Sequence, residues 1–343
     1  MRRRWWGSRC ACAPGGYHVD ALLGIDGSLS PRLQEKTCLL AADVSLRKTG
    51  ELLKSLLDVT LASETIRVYC ERNAATMARW KANETDSAKS FAMAQGQWEF
   101  AVDAGKVNTL EKGWRDLKIA VVQKRPTGSP ATPEEWQTRE LPPASARVMW
   151  ADIAASMRFR ANWKTRLEQL GAEEMADVHV LGDGASWIWK SADRALTGCD
   201  QTLDIYHACE HLADAGKKLF GEGTPEATTF FERGRLLILD EGWTGICRLV
   251  GDEYERQDTP AVRDVLEPMT RYFAAHIGRL NYRACLAVGK SIGSGVVEEA
   301  AKTLGLRLKA RGARWTNKNA RAMAALVCAR NGDEWSCFWN KDA

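Results

Sequence analysis

Apolar positions recur along this chain with two different periods, and the change between them divides it. From Ser30 to Trp80 the spacing is helical, with leucines returning to one face across Leu46–Leu57. After a break at Asp58–Ala62, Ser63 reads as an N-cap, with Glu64 in the first turn of a helix through Arg67, Arg72 and Arg79. Glu84–Gly96 is small and polar and reads as a linker. At Trp98 the period falls to two: Trp98-Glu99-Phe100-Ala101-Val102-Asp103 alternates as a strand and ends in a carboxylate. Trp114–Arg125 predicts a second strand, antiparallel across a short connection. Pro126–Pro143 holds five prolines and reads as a loop. A third strand near Arg147–Trp150 leads into a helix over Ile153–Leu170. Val178-His179-Val180-Leu181 has the length of a short buried strand and stops at Gly182-Asp183-Gly184; Thr202-Leu203-Asp204-Ile205-Tyr206-His207 repeats that design and enters a helix. Pro225–Arg283 is amphipathic helix, including Thr228–Leu239 and Pro260–Leu280, and Gly293–Glu299 opens another long helix.

This order of elements predicts an α/β chain. Three meandering strands, a helix and a parallel strand match the ribonuclease H-like mixed sheet, in which the first and fourth strands are neighbours. Asp103 and Asp183 are then expected side by side. The chain divides into a leader at 1–30, a helical region at 31–92, the first part of the sheet domain at 93–220, an all-helical insertion at 221–288, and a return at 289–343 with a third carboxylate and basic C-terminal helices. The helix, turn and basic helix of 31–92 read equally as a helix-turn-helix that enters a major groove or as a helical hairpin packed on the next domain.

Composition narrows the setting. A net charge of +4 over 343 residues is too small to imply nucleic acid by itself. Ten scattered cysteines suit a reducing cytoplasm better than a disulfide framework. No apolar run approaches the ~18 residues of a membrane helix, and the basic start Met1–Trp6 lacks the apolar stretch of a signal peptide. In the leader, Cys10 and Cys12 with His18 resemble half a zinc knuckle, or are unliganded thiols. Locally the charge is one-sided: Lys302–Arg330 carries eight basic residues and no acidic one. A solvated helix face mixes both signs, so Arg307, Lys309, Arg311, Arg314, Lys318 and Arg321 are candidate phosphate contacts.

Asp103, Asp183 and Glu298 lie on separate elements, with few histidines and no thiolate cluster beside them. Such a set suits hard, oxygen-loving cations, Mg²⁺ or Mn²⁺. Two such ions about 4 Å apart serve phosphodiester chemistry. Taken singly, each carboxylate also reads as a solvated side chain or helix cap. Asp204 reads as a helix cap or, with His207, as an accessory to the site. Ala284–Ser291 fits the loose phosphate-loop pattern but lacks both the preceding buried strand and the glycines that loop needs. Trp187, Trp189, Trp243 and Trp315 read as core or as platforms for an unpaired base.

With these residues in view the chain resembles the DDE transposases of bacterial insertion sequences, and among them the ISKra group, allied to the eukaryotic Mutator-like elements. The resemblance runs through Val102-Asp103 before a Trp-led second strand, Asp183-Gly184-Ala185 with Trp187, and Asp204-Ile205-Tyr206-His207. It continues through Gly293-Ser294-Gly295-Val296-Val297-Glu298 and the basic segment with Lys309, Gly312 and Trp315. It implies Asp103, Asp183 and Glu298 as a catalytic, metal-binding triad holding two Mg²⁺ or Mn²⁺ ions, with Glu299 the competing third carboxylate. It also implies cleavage at element ends and strand transfer into target DNA. The partners implied are double-stranded DNA, terminal inverted repeats and target alike, and further copies of the chain assembled on it, in a cytoplasmic, nucleoid-associated setting without a membrane. Members of the group carry a longer N-terminal region, so a truncated copy is expected. An inactive DNA-binding remnant and a structure-specific nuclease of the same fold are the alternatives.

Overall fold

A computed structural model of the chain describes residues 29–83 and 89–340. Cys10, Cys12 and His18 lie outside the described residues. Three helices come first, α1 (Pro31–Asp43), α2 (Leu46–Leu57) and α3 (Ser63–Asn83), followed by the short α4 (Lys89–Met93). Ser30 and Ser45 cap α1 and α2 through their hydroxyls. The third helix includes Ser63 itself, one residue earlier than a cap at that position would allow.

The fold is mixed α/β, around a five-stranded sheet with both parallel and antiparallel pairs. Strands β1 (Gln97–Thr109), β2 (Gly113–Arg125), β3 (Ala146–Asp152), β4 (Val178–Gly182) and β5 (Asp200–Leu203) stand in the order β3-β2-β1-β4-β5. The first three are antiparallel, while β4 pairs parallel with both β1 and β5. Asp103 is not at the tip of β1, as its sequence context suggests. The strand continues six residues further, paired with β2 as a projecting hairpin, and only the pairing with β4 ends at Val102 and Gly182. The expected single helix at 153–170 is broken into α5 (Ser156–Arg160) and α6 (Trp163–Gln169).

Alternation along the strands feeds two cores. Phe100, Val102, Ala120, Val122 and Val180 face one layer, formed by α6, α7 (Ser186–Ala195), α8 (Ile205–Phe220) and a helical block. That block comprises α9 (Pro225–Glu241), α10 (Trp243–Arg256), α11 (Pro260–Ala274) and α12 (Tyr282–Ala287), with Thr224-Pro225 and Thr259-Pro260 opening α9 and α11. Ala101, Ile119, Val121 and Leu181 face the opposite layer, formed by α13 (Gly295–Leu308), α14 (Asn317–Arg330) and α15 (Glu334–Trp339) together with α1–α3. Leu53, Ile66, Met77 and Trp80 of the N-terminal helices thus share a core with Leu304, Met323, Val327 and Phe338. Burying an apolar face there is worth roughly 25 cal/mol per Å², which ties the first helices to the last. No helix among the described residues is long and apolar enough to cross a membrane.

Candidate functional site

Parallel pairing of β1 with β4 ends at Val102 and Gly182, so Asp103, still within β1, and Asp183, just past β4, follow at neighbouring positions. Asp103 Oδ1 accepts a hydrogen bond from the Ala104 amide at 2.6 Å, and Asp183 Oδ1 accepts one from the Ala185 amide at 2.8 Å. Burial pushes the Asp103 carboxyl above the usual range; the Ala104 amide opposes this, and the charge of Asp183 adds to it. Like charges at neighbouring positions across a sheet are destabilising unless something cationic sits with them.

The next strand brings the second half of the site. Asp204 follows β5, is fully buried, and caps α8 by accepting from the His207 amide at 2.9 Å. The same oxygen faces His207 Nδ1 at 3.2 Å, while Oδ2 accepts from the Ser294 amide and, at 2.8 Å, from the Ser294 hydroxyl. Burial alone would raise the Asp204 carboxyl, but the bonds from His207 and Ser294 bring it below its ordinary value. Its bond to His207 in turn lifts that imidazole to about 9. Ser294 directly precedes α13, and Glu298 lies in the first turn of that helix. Asp204, His207 and Glu298 offer ligand atoms all within 4.8 Å of one another, close enough to hold a metal ion.

Asp103 and Asp183 stand outside that tight group but within electrostatic reach of it: Asp103 feels His207 and Asp204, and His207 feels Asp183. Glu299 does not share the position of Glu298. Its side chain is 67% exposed and pairs with Arg147 at 3.4 Å.

Other contributors carried no sequence signal. Tyr272 of α11 lies over Gly184, where a Cβ would come within 2.8 Å of the tyrosine Cζ. Its ring stacks on His211 at 3.6 Å, and its buried hydroxyl has no hydrogen-bond partner among the described residues. Burial, reinforced by Asp183, raises that phenol. Lys118 of β2 is nearly buried, with its ammonium 4.4 Å from the centre of the Trp187 ring; burial pushes its pKa down. The Gly-Asp-Gly stretch hints that something approaches closely, but not what.

The basic segment divides. Arg307 is 4% exposed, donates from Nε to the Ala41 carbonyl at 2.6 Å and lies 5.0 Å from the Trp315 ring centre, so it is a core residue and not a phosphate contact. Arg321 is held by Asp152 at 2.7 Å and by the Ile153 carbonyl. Lys318 is exposed and pairs with Glu71 at 3.6 Å. Lys309, Arg311 and Arg314 are exposed on the turn between α13 and α14, which hydrogen-bonds to the tip of the β1–β2 hairpin through Leu110 and Glu111. Of the tryptophans, Trp189 and Trp315 are core, and Trp187 and Trp243 are partly buried against it. The phosphate-loop lookalike is α12 and a turn in which Gly289 presses on Gly128 and Lys290 pairs with Asp200 at 2.5 Å. Compared with protein-family models and with curated protein sequences, the chain matches none.

Proposed function

We propose that this chain is a metal-dependent DNA-strand-cleaving and strand-transferring enzyme of the DDE transposase kind, on a ribonuclease H-like sheet. The observation that carries the reading is the placement of Asp103 and Asp183 at consecutive positions beyond the last paired residues of β1 and β4. Glu298 enters beside Asp204 and His207, from a helix start anchored on Asp204. The strand order β3-β2-β1-β4-β5, with only β2 running against its neighbours, supports the fold assignment.

The donor chemistry fits Mg²⁺ or Mn²⁺, since carboxylate oxygens dominate the site and, among the described residues, no thiol joins it. Asp103, Asp183 and Glu298 would hold the ions; bound there, these supply charge stabilisation to the entering and leaving oxygens of a phosphodiester. Asp204 suits a different task, because each of its oxygens already accepts two hydrogen bonds. It holds His207 in its protonated form and fixes the turn that presents Glu298. The His207 imidazolium, half exposed beside three carboxylates, balances their charge and can donate to a phosphate oxygen. Tyr272 and Gly184 shield the Asp183 side of the cleft. Double-stranded DNA as substrate and an assembly of several copies on it follow from the same reading.

Cleavage of labelled duplexes tests this, with blunt, terminal-repeat and branched substrates compared. Asp183→Asn keeps the side chain's size and removes its charge, so cutting should disappear while DNA binding persists. Mn²⁺ should replace Mg²⁺, and Ca²⁺ should bind without turnover. Full cleavage by Asp183→Asn, or in a chelator, would overturn the proposal; preference for branched over terminal DNA would make the enzyme a structure-specific nuclease.

A further inference from the structure

Beside the carboxylate cleft, and separate from it, a cavity of about 220 Å³ opens between the starts of α8 and α13 and the proline-rich loop 126–145. Its walls include Arg125, Trp136, Arg139, Tyr206, Gly295 and Val296. The two arginines differ in their state. Arg125 is neutralised, with Nε 3.2 Å from the buried Glu99 carboxylate and Nη1 on the Pro142 carbonyl. Among the described residues Arg139 makes no ion pair, although the Glu99 charge reaches it: Nη2 donates to the Lys290 carbonyl at 2.9 Å, and the buried Nη1 finds no hydrogen-bond partner there. A half-buried guanidinium with one nitrogen unsatisfied is costly in a folded chain, and an anion beside it would offset that cost.

The rest of the cavity says which kind of anion. Gly295 and Val296 open α13, so their amides have no acceptor within the helix. Such amides suit phosphate oxygens. Two aromatic rings also line it, the exposed Tyr206 and the edge of the core residue Trp136, with centroids 5.5 Å apart. Tyr206 is 55% exposed, so its ring has a free face. It also abuts Gly293, where a Cβ would lie 3.0 Å from the ring. The volume is below the ~300–1,000 Å³ of drug-sized ligand sites, so the cavity takes no more than one nucleotide.

We infer that this cavity binds a single unpaired nucleotide, its phosphate on Arg139 and the first amides of α13, its base against Tyr206 and Trp136. The cavity adjoins the cleft through the chain itself: Tyr206 precedes His207, and Val296 lies two residues before Glu298. If the nucleotide belongs to a DNA strand, as the strand-cleavage reading on which that source rests requires, it neighbours the nucleotide being cut. The chemistry is equally open to a free mononucleotide, and the two sources separate experimentally.

The test is binding without turnover, in Ca²⁺. Affinities are compared for a blunt duplex, the same duplex with a short single-stranded 3′ tail carrying 2-aminopurine, and AMP alone. The tail should tighten binding about tenfold, the scale of one base stacked on an aromatic side chain, and the 2-aminopurine fluorescence should be quenched. Tyr206→Ser, on an exposed ring, and Arg139→Gln should each abolish that preference while leaving blunt-duplex affinity and thermal stability unchanged. If Arg139→Gln does not fold, Tyr206→Ser decides. Saturable AMP binding that disappears in the same variants would identify a free nucleotide as the occupant. Equal affinity for tailed and blunt DNA together with no AMP binding, or a preference that survives either folded variant, would overturn the inference. Because no arm requires cleavage, an inactive enzyme would leave these outcomes readable.

Discussion

Asp204 and Ser294 are joined through one oxygen: Oδ2 of the fully buried aspartate accepts both the amide and the hydroxyl of the serine. The pair fastens the turn before α13 to the start of α8, and so sets where Glu298 stands relative to His207. Asp204→Asn puts an amide where two donors already converge and should cost about 3 kcal/mol of stability, as losing one partner of a buried charged network does. Ser294→Ala removes only the hydroxyl bond and should cost about 1 kcal/mol. Chemical denaturation of the two variants measures both; equal, negligible losses would show that the junction is held by other contacts.

Asp103 should behave as a residue that favours the site over the fold. Its burial beside Asp183 raises its pKa, so the native state binds its proton more readily than the unfolded chain does. The contribution of Asp103 to the stability of the metal-free protein should therefore rise as pH falls through that elevated range, against the opposite contribution of His179. Asp103→Asn, neutral at every pH, should flatten this trend and stabilise the metal-free protein at neutral pH. With wild type, Mg²⁺ or Mn²⁺ at a hundredfold excess over Kd should add about 2.7 kcal/mol, and the variant should lose that gain. Thermal melts with and without metal supply the comparison.

Gly184 leaves room for the Tyr272 ring and for nothing more. Gly184→Ala should destabilise by about 1–3 kcal/mol, the usual range for overpacking. Tyr272→Ala in the same chain should recover most of the loss, giving strong non-additivity between contacting residues. Additive effects in that double-mutant cycle would mean the ring moves aside freely.

His179 sets an acid-side slope. Burial, with Lys290 nearby, lowers its pKa from 6.5 to about 4, and its Nε2 pairs with the Thr202 hydroxyl at 2.8 Å. Between those two values the unfolded chain binds a proton that the folded one refuses, so stability falls as pH drops from 6.5 to about 4. The full effect is at most about 3.4 kcal/mol, at 1.36 kcal/mol per unit. His179→Gln should remove that part of the pH dependence, as followed by urea unfolding at a series of pH values.

Exposed and buried cations of the C-terminal segment should separate in salt titrations of DNA binding. Lys309, Arg311 and Arg314 are exposed, so replacing all three should reduce the slope of log affinity against log salt by about 0.9 for each phosphate that is no longer neutralised. Arg307→Ala should leave the slope alone and lower the melting temperature, because it removes a buried side chain that bridges Ala41 and Trp315. An unaltered slope in the triple variant would place the DNA elsewhere.

Strand identities, their order and the helical run from 225 onward were legible in the sequence because they follow from local period: two for a pleated strand, 3.6 for a helix. Asp103, Asp183 and Glu298 stood out for the same reason, as carboxylates at the edges of periodic segments. What period cannot carry is contact between segments far apart. Nothing in Ser30–Trp80 says that it shares a core with α13–α15, and nothing in the run of basic residues distinguishes the buried Arg307 from the exposed Lys309. Both facts depend on which side of the sheet each helix covers. The β1–β2 arm past Asp103 was hidden because a projecting hairpin alternates like any strand. Tyr272 over Gly184, Ser294 on Asp204, and the Arg139 cavity arise only once distant elements are packed together. Burial then decides which charged and polar groups still have a partner, and that balance exists only in the folded chain.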